Sequence, residues 1–350
     1  MASATCPVHM PYGPLMIDLQ GPELLEEERE KLLHPAIGGV ILFQRNCQDA
    51  EQTRMLCHAI HELRDPPLII GIDQEGGRVQ RLRKGVTHFP PQAVLGELAD
   101  AEGLEVAIDA ATGWGQLLGY ELGHLGIDLD FTPCVDVDHG VSSVIGDRAL
   151  HHNAHWVAAL GTAIWQGMSE QGLAAAGKHF PGHGGVAADS HLALPRDSRS
   201  LADLEQDLIP FHRLVQARIP AIMPAHCLYT SVDPRHPAGY SSIWLQDFLR
   251  IRLGFSGVII SDDLSMAGAL GAGAIPDRLE MALSAGCDLL LLCNDPAGAE
   301  TAMQYLQGRT PPRNLGNLRG SRQPRRTMPP EEAELRRHQI DGLAHRFPHP

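Results

Sequence analysis

Eight short apolar segments recur along the chain, and they limit the folds that it can adopt more than any other feature. Each segment is followed by polar or glycine-rich sequence, and most of the segments are continuously apolar rather than alternating with polar residues. Continuous apolarity is typical of strands buried on both faces, as in a parallel sheet. The segments cover residues 15–19, 39–43, 67–72, 127–132, 174–177, 221–223, 258–260 and 288–292.

Most of the spacers between these segments are long enough for a helix. Apolar residues recur at helical spacing in residues 50–63, 106–122, 155–171 and 201–217. Eight strand–helix units in roughly 300 residues predict an α/β fold with a single (β/α)8 TIM-type barrel, whose first units could contain irregular strands. Polar residues also gather directly after the apolar segments, and a barrel would bring them together at one rim. A doubly wound open sheet is the alternative, but it would not bring all eight strand ends to one mouth.

The composition changes near residue 308. We expect residues 1–308 to form the catalytic barrel domain. Residues 309–350 are basic, rich in proline and poor in apolar side chains, so they are predicted to form a weakly ordered C-terminal tail with a short helix at 331–337.

Charge and cysteine content exclude several classes of protein. A net charge of −14 argues against a general nucleic-acid binder, which needs clustered cations. No apolar run approaches the roughly 20 residues of a transmembrane helix, and the N-terminal residues lack the pattern of a secretory signal. Seven cysteines without a CxxC pair favour reduced thiols. We therefore expect a cytoplasmic monomer without nucleic-acid or membrane partners and, because nucleotide-binding motifs are absent, without a cofactor.

The segment 178–191 carries the densest chemistry. Three histidines, a lysine and an aspartate stand among glycines and prolines, which predicts a loop rather than a helix. These side chains include zinc-ligand types, but Pro-Gly between His179 and His183 prevents both from sharing one helix face, so we expect no metal site. Asp189 and His191 are spaced so that a carboxylate can orient an imidazole for proton transfer.

Further candidates follow two predicted strands. Asp262 and Asp263 come directly after the segment 258–260, and the pleat of a strand sends neighbouring side chains to opposite sides, so only one can face the barrel centre. The residues themselves leave that choice open. The loop 73–81 carries two acids and two arginines, which suits either a polyhydroxylated ligand or an internal network of ion pairs. Arg148 is a possible additional ligand clamp.

In this order, the motifs of residues 14–296 resemble glycoside hydrolase family 3, and especially its short bacterial β-N-acetylglucosaminidases. The resemblance rests on Ile-Asp-Gln-Glu-Gly-Gly-Arg-Val-Gln-Arg at 72–81, Asp-Phe-Thr-Pro-Cys-Val-Asp-Val-Asp at 130–138, Lys-His-Phe-Pro-Gly-His-Gly at 178–184 with Asp-Ser-His at 189–191, and Ser-Asp-Asp-Leu-Ser-Met at 261–266. The resemblance implies Asp262 as nucleophile, His191 as acid/base and Asp189 as its partner. It also implies that the sugar is held by Asp73, Arg81, Arg148, Lys178 and His179.

The resemblance further implies a retaining exo-β-N-acetylglucosaminidase that forms a covalent glycosyl-aspartate and releases terminal N-acetylglucosamine from peptidoglycan fragments during recycling. Because the pair lies on a glycine-bearing loop, we expect it to swing in over bound sugar. Many family members have Asp-Thr where this chain has Gly185 and Val186, so we expect altered loop mobility. A phosphorylase and a β-glucosidase of the same family are the enzymatic alternatives. A sugar-binding sensor on an inactive barrel is the non-enzymatic one.

Overall fold

The computed structural model describes residues 8–187, 194–309, 315–320 and 326–349. Its core is a barrel of eight parallel strands, and each of the eight apolar segments overlaps one of them. The strands are β1 (Leu15–Asp18), β2 (Ile37–Leu42), β3 (Ile69–Ile72), β4 (Leu129–Asp130), β5 (Ala174–Phe180), β6 (Ala221–Pro224), β7 (Val258–Ile259) and β8 (Leu290–Leu292).

Neighbours in the chain are neighbours in the barrel. Strands β1 to β7 pair in order, and β8 pairs with β1. A parallel bridge between Ile260 and Leu289, with the Ser261 N–H donating to the Leu289 carbonyl at 2.8 Å, joins β7 to β8 and closes the barrel. The open doubly wound alternative is therefore wrong, and the predicted TIM-type barrel is confirmed.

Both faces of the strands are buried, which explains why the sequence segments are continuously apolar. On β2, Ile41 packs with Met16, Ile69 and Leu291 in the barrel interior, whereas Val40 belongs to the layer between strands and helices. The two groups alternate along a strand because successive side chains point to opposite faces.

A helical layer surrounds the barrel. The helices are α1 (Glu26–Leu32), α2 (Ala50–His61), α3 (Ala93–Glu102), α4 (Leu104–Leu125), α5 (Ala154–Glu170), α6 (Leu201–Gln216), a π-helix (Ile243–Arg252), α7 (Ala267–Leu270), α8 (Ile275–Ala285), α9 (Pro296–Leu306) and α10 (Pro330–Arg346). The four helices predicted from apolar spacing correspond to α2, α4, α5 and α6. None of the described helices is both long and apolar enough to cross a bilayer.

Shorter elements shape the rim. The antiparallel pair Gln74–Gly76 and Val79–Gln80 forms a hairpin after β3, and the parallel pair Arg196–Asp197 and Leu228–Tyr229 lies beyond β5 and β6. A parallel pair, Val8–His9 with Arg64–Asp65, joins the N-terminal residues to the segment after α2. Four 3-10 turns complete the regular structure in the described part, at Gln44–Asn46, Gly146–Arg148, Ala238–Tyr240 and Leu315–Arg319.

The described part of the C-terminal tail differs from the weakly ordered segment that the sequence predicts. Helix α10 extends well beyond the expected 331–337, and its Ala333 and Ile340 are buried. These residues are seven positions apart, so they share one face of the helix, which packs against α4. Arg337 donates from Nε to Oε1 of Glu121 on α4 at 2.9 Å. The low apolar content of the tail conceals this helix because only a few side chains anchor it.

Candidate active site

One cavity of about 340 Å³ opens among the carboxyl ends of the barrel strands. Active sites of this fold lie at that end. Six of the residues singled out from the sequence line the cavity together, namely Asp73, Arg81, Arg148, Lys178, His179 and Asp262. Asp189 and His191 lie outside the described residues.

The hairpin after β3 fixes Asp73 and Arg81. The buried side chain of Gln74 joins its two ends, because its Oε1 accepts from the backbone N–H groups of Arg81 and Leu82, each at 3.1 Å. Arg81 Nη2 donates to Asp73 Oδ2 at 3.1 Å. The two side chains therefore reach the cavity as an ion pair.

Lys178 links that pair to a second one. Its Nζ lies 2.7 Å from Asp73 Oδ1 and 2.5 Å from Glu75 Oε1. Glu75 also accepts two 2.8 Å hydrogen bonds from Arg148. Burial disfavours the charged form of Asp73, but the cations of Lys178 and Arg81 outweigh it and hold the pKa of that carboxyl well below its usual range. The internal ion-pair network considered from the sequence therefore exists, and its members other than the buried Glu75 line the cavity.

Asp136 organises the loop after β5. Its Oδ2 lies 2.7 Å from Nδ1 of His179, and its Oδ1 accepts from the backbone N–H of His183 at 2.6 Å. Burial opposes the ionised form of Asp136, yet the neighbouring His179 holds its pKa well below the usual range. With Nδ1 turned toward Asp136, His179 keeps Nε2 as its second polar ring atom.

Cys134, Asp136 and His179 lie close enough to one another to be considered as metal ligands, since their ligand atoms fall within 4.8 Å. Burial raises the pKa of the Cys134 thiol well above its ordinary value, and the thiol donates to Asp136 Oδ2 at 3.3 Å. The three side chains therefore form a hydrogen-bonded cluster.

His183 also lines the cavity. It is 3% exposed, and neither ring nitrogen has a hydrogen-bond partner within the described part of the chain. Burial, assisted by the neighbouring His179, lowers the pKa of His183 and favours a neutral imidazole. Such a ring offers one donor and one acceptor to a ligand.

Glu75, Asp136 and His183 were missed by sequence reasoning as site residues. Glu75 stands two positions from Asp73 in the same hairpin, and Asp136 follows β4, so their positions offered a signal. The ion pairs that connect them to Lys178, Arg148 and His179 are visible only in three dimensions.

Asp262 and Asp263 have different surroundings, although both line the cavity. The Asp263 carboxylate accepts from Ser265 Oγ at 2.6 Å, from the Ser265 backbone N–H at 2.9 Å and from the Cys293 backbone N–H at 3.0 Å. It therefore ties its own loop to the end of β8. Asp262 Oδ1 accepts from the Asp263 backbone N–H at 2.8 Å.

A further carboxyl group lies beneath the network. Asp130 is fully buried at the end of β4, and its Oδ1 accepts from the Gln74 backbone N–H at 2.9 Å. Its Oδ2 has no hydrogen-bond partner in the described ranges. Burial raises the pKa of Asp130 to about 8, so the group holds a proton at neutral pH.

Comparison with known proteins shows the family of this chain. Residues 15–310 match the glycosyl hydrolase family 3 N-terminal domain. A β-hexosaminidase of Thioalkalivibrio sulfidiphilus is 51% identical over 312 residues, which are 88% of either chain. A β-hexosaminidase of Chromobacterium violaceum is 50% identical over 300 residues, 85% of this chain and 84% of that one.

A solved structure of NagZ from Neisseria gonorrhoeae, in complex with N-trifluoroacetyl-D-glucosamine, superposes with a TM-score of 0.88 and 43% identity. The match covers 96% of this chain and 99% of that one. This chain therefore belongs to glycosyl hydrolase family 3, within the group of its members named β-hexosaminidases.

Proposed function

We propose that this protein is a retaining exo-β-N-acetylglucosaminidase that uses Asp262 as its nucleophile. The coarser assignment, a glycoside hydrolase with β-N-acetylhexosaminidase activity, follows from its family and from relatives at about half identity along most of the chain. The observation that carries the finer proposal is the presence of Asp262 in the same cavity as the Asp73–Lys178–Glu75–Arg148 network.

The network supplies the sugar-binding side of the proposal. Asp73 is an ionised acceptor on the cavity wall, and Lys178, Arg81 and Arg148 are donors there, so together they match the hydroxyl groups of a pyranose. Their mutual ion pairs fix each head group before a ligand arrives. Charged partners also make strong, directional hydrogen bonds. Phe131, Met223 and Leu291 give the cavity an apolar wall for a sugar face.

The surroundings of Asp263 favour Asp262 as nucleophile. Three donors engage the Asp263 carboxylate in holding its loop to β8, and an attack on the anomeric carbon would break those contacts. Asp262 would instead form the bond to the anomeric carbon as the aglycone oxygen leaves. Water would later displace the aspartate with retention of configuration.

Proton transfer is assigned to His191, with Asp189 as its orienting partner. The imidazolium would donate a proton to the leaving oxygen, and the neutral ring would then accept one from the attacking water. Asp189 would stabilise the charged ring, as a triad carboxylate does. This assignment rests on the Asp-Ser-His motif at 189–191 and its match to the family.

For the natural substrate we propose peptidoglycan fragments that carry terminal β-linked N-acetylglucosamine on an anhydro-muropeptide. Such fragments would be met in the cytoplasm during cell-wall recycling. The six cysteines within the described ranges are all free and buried, which supports a reducing compartment. The ligand of the N. gonorrhoeae structure, an N-acylated glucosamine, supports the sugar specificity.

Hydrolysis of paired chromogenic substrates tests the proposal. We expect cleavage of aryl β-N-acetylglucosaminide and little cleavage of the matching β-glucoside, with yields independent of added phosphate. Preference for the glucoside would favour a β-glucosidase, and phosphate-dependent release of a sugar 1-phosphate would favour a phosphorylase. Inactivity of folded protein toward both substrates would turn the proposal toward a sugar sensor. A muropeptide disaccharide then tests the natural substrate.

A further inference from the structure

Two chain segments lead to and from the residues 188–193, which include Asp189 and His191. We define the outgoing arm as residues 181–187 and the return arm as residues 194–199. Both arms lie in the described part of the structure, and both are fixed to the barrel.

The glycines of the outgoing arm are close-packed. A Cβ on Gly184 would come within 1.8 Å of the Val137 carbonyl oxygen, and one on Gly182 would lie 2.6 Å from Cβ of Asp207. A Cβ on Gly185 would lie 2.3 Å from both Cζ and Nη2 of Arg199. These glycines allow close approach of the backbone to its neighbours, so glycine content is not evidence for mobility of this arm.

The return arm is held by a short strand. Asp197 pairs with Tyr229 in the strand Leu228–Tyr229, and the Thr230 N–H donates to the Asp197 carbonyl at 2.9 Å. The buried Tyr229 hydroxyl donates to the Gly182 carbonyl at 2.8 Å. Tyr229 therefore contacts both arms.

Arg199 joins the two arms to the helical layer. Its Nε and Nη2 donate to Asp197 Oδ2 at 2.9 and 2.6 Å, and Nη2 also lies 2.6 Å from Oδ2 of Asp207 on α6. Its Nη1 lies 3.1 Å from Nε2 of His139, a ring whose Nε2 is 2.7 Å from Asp207 Oδ1. Both carboxylates are almost fully buried, at 2% and 1% exposure. One guanidinium thus spans two acids while its face packs against Gly185.

We propose that Arg199 is a positioning residue for the acid/base pair Asp189–His191, because it fixes the two arms that connect the pair to the barrel. The inference rests on the proposed function. The planar, forked guanidinium engages Asp197 and Asp207 at the same time, a geometry that the single ammonium of lysine cannot reproduce. A displacement of about 1 Å in a catalytic group can lower a rate by about 100-fold.

The test measures kcat/KM for aryl β-N-acetylglucosaminides whose leaving groups differ in acidity. A dinitrophenolate leaves without a proton, whereas an alkoxide or a weakly acidic phenol needs the general acid. For Arg199→Lys we expect a loss of at least about 10-fold with the poor leaving group, inside the range that general acid catalysis contributes, and less than about 3-fold with dinitrophenol. Gly185→Ala adds a methyl group that would overlap the Arg199 guanidinium, so this variant should give the same pattern.

Arg196→Ala is the matched control, because Arg196 is an exposed arginine in the same short strand. We expect it to leave both substrates unchanged. His191→Ala is the reference for complete loss of the acid. Suppose that His191→Ala shows the expected dependence on the leaving group. An equal loss of kcat/KM on all substrates for Arg199→Lys and Gly185→Ala, or no loss, would then overturn the inference. If His191→Ala itself shows no such dependence, the proposed acid/base role fails, and the positioning role falls with it.

Discussion

The guanidinium of Arg148 makes two 2.8 Å hydrogen bonds to the carboxylate of Glu75, one from Nε to Oε2 and one from Nη2 to Oε1. Glu75 is 1% exposed and also contacts Lys178. Removing one partner of a pair this buried is strongly unfavourable, because the other partner remains as an uncompensated buried charge. Glu75 therefore supports two of the cations proposed to hold the sugar.

Glu75→Gln tests this support. The amide keeps one acceptor but loses the charge that balances Arg148 and Lys178. We expect kcat/KM for the aryl N-acetylglucosaminide to fall by about 100-fold or more, equivalent to roughly 3 kcal/mol, within the range for breaking a buried pair. Glu105→Gln, an exposed glutamate on α4, should retain full activity. Equal kinetics for the two variants would contradict a role for Glu75 in the site.

Asp130 makes stability depend on pH. The unfolded chain releases this proton near pH 4, whereas burial in the folded protein raises the pKa of Asp130 to about 8. The folded state therefore binds more protons between these values, and this group lowers the stability as pH rises from about 4 to about 8. Above that range its contribution is constant.

Asp130→Asn removes that dependence, because an amide does not ionise and its oxygen can still accept from the Gln74 N–H. At each pH we take the Tm of the variant minus the Tm of wild type. We expect this difference to increase by roughly 2 °C or more from pH 5 to pH 8, which corresponds to about 1 kcal/mol. Asp109→Asn, an exposed change on α4, is the control and should show no such trend. A Tm difference that stays constant or decreases with pH would contradict a protonated Asp130.

His183 is expected to contact the substrate directly. His183→Gln keeps a donor and an acceptor near the ring positions, whereas His183→Phe keeps the shape and removes both. We therefore expect the phenylalanine variant to lose roughly 10-fold more in kcat/KM than the glutamine variant, equivalent to a hydrogen bond of about 1.4 kcal/mol. Both variants should be compared with wild type above about pH 7, where the lowered pKa of His183 leaves the wild-type ring neutral. Identical losses would assign His183 to packing alone.

Helix α10 is expected to contribute to stability. Ile340 is 2% exposed and packs with the main apolar layer, so Ile340→Ala should lower the free energy of unfolding by about 2 kcal/mol or more. Leu335 on the same helix is 57% exposed, and Leu335→Ala should change it by less than about 0.5 kcal/mol. Chemical denaturation measures both. A neutral Ile340→Ala would indicate that the tail is held loosely, as its composition suggests.

The barrel could be predicted from the sequence because burial on both strand faces leaves a strong local signal. Each apolar segment overlaps one strand, and Asp73, Lys178 and Asp262 follow such segments within two residues. Tail helix α10 could not be predicted at its full length, since Ala333 and Ile340 alone carry its buried face. Local composition underestimates a helix whose stability comes from docking.

The choice between Asp262 and Asp263 shows a second limit. The strand pleat predicts opposite directions for neighbouring side chains, but the strand ends at Ile259, and both aspartates line the cavity. The Asp263 carboxylate accepts hydrogen bonds from Ser265 and from the backbone of Cys293, thirty residues away, and the sequence pattern does not show these contacts. The loop glycines show the same limit, because Gly185 is packed against Arg199 rather than exposed as a hinge.

The most direct test of the account is to identify the residue that becomes glycosylated. A 5-fluoro N-acetylglucosamine analogue, or a 2-fluoro sugar in which fluorine replaces the acetamido group, would trap the covalent intermediate when it carries a good leaving group. Fragmentation of the labelled peptide would distinguish positions 262 and 263. We predict one sugar per chain attached to Asp262, with no label in Asp262→Ala and retained labelling in Asp263→Asn. A label on Asp263, or turnover by folded Asp262→Ala at the wild-type rate, would contradict the account.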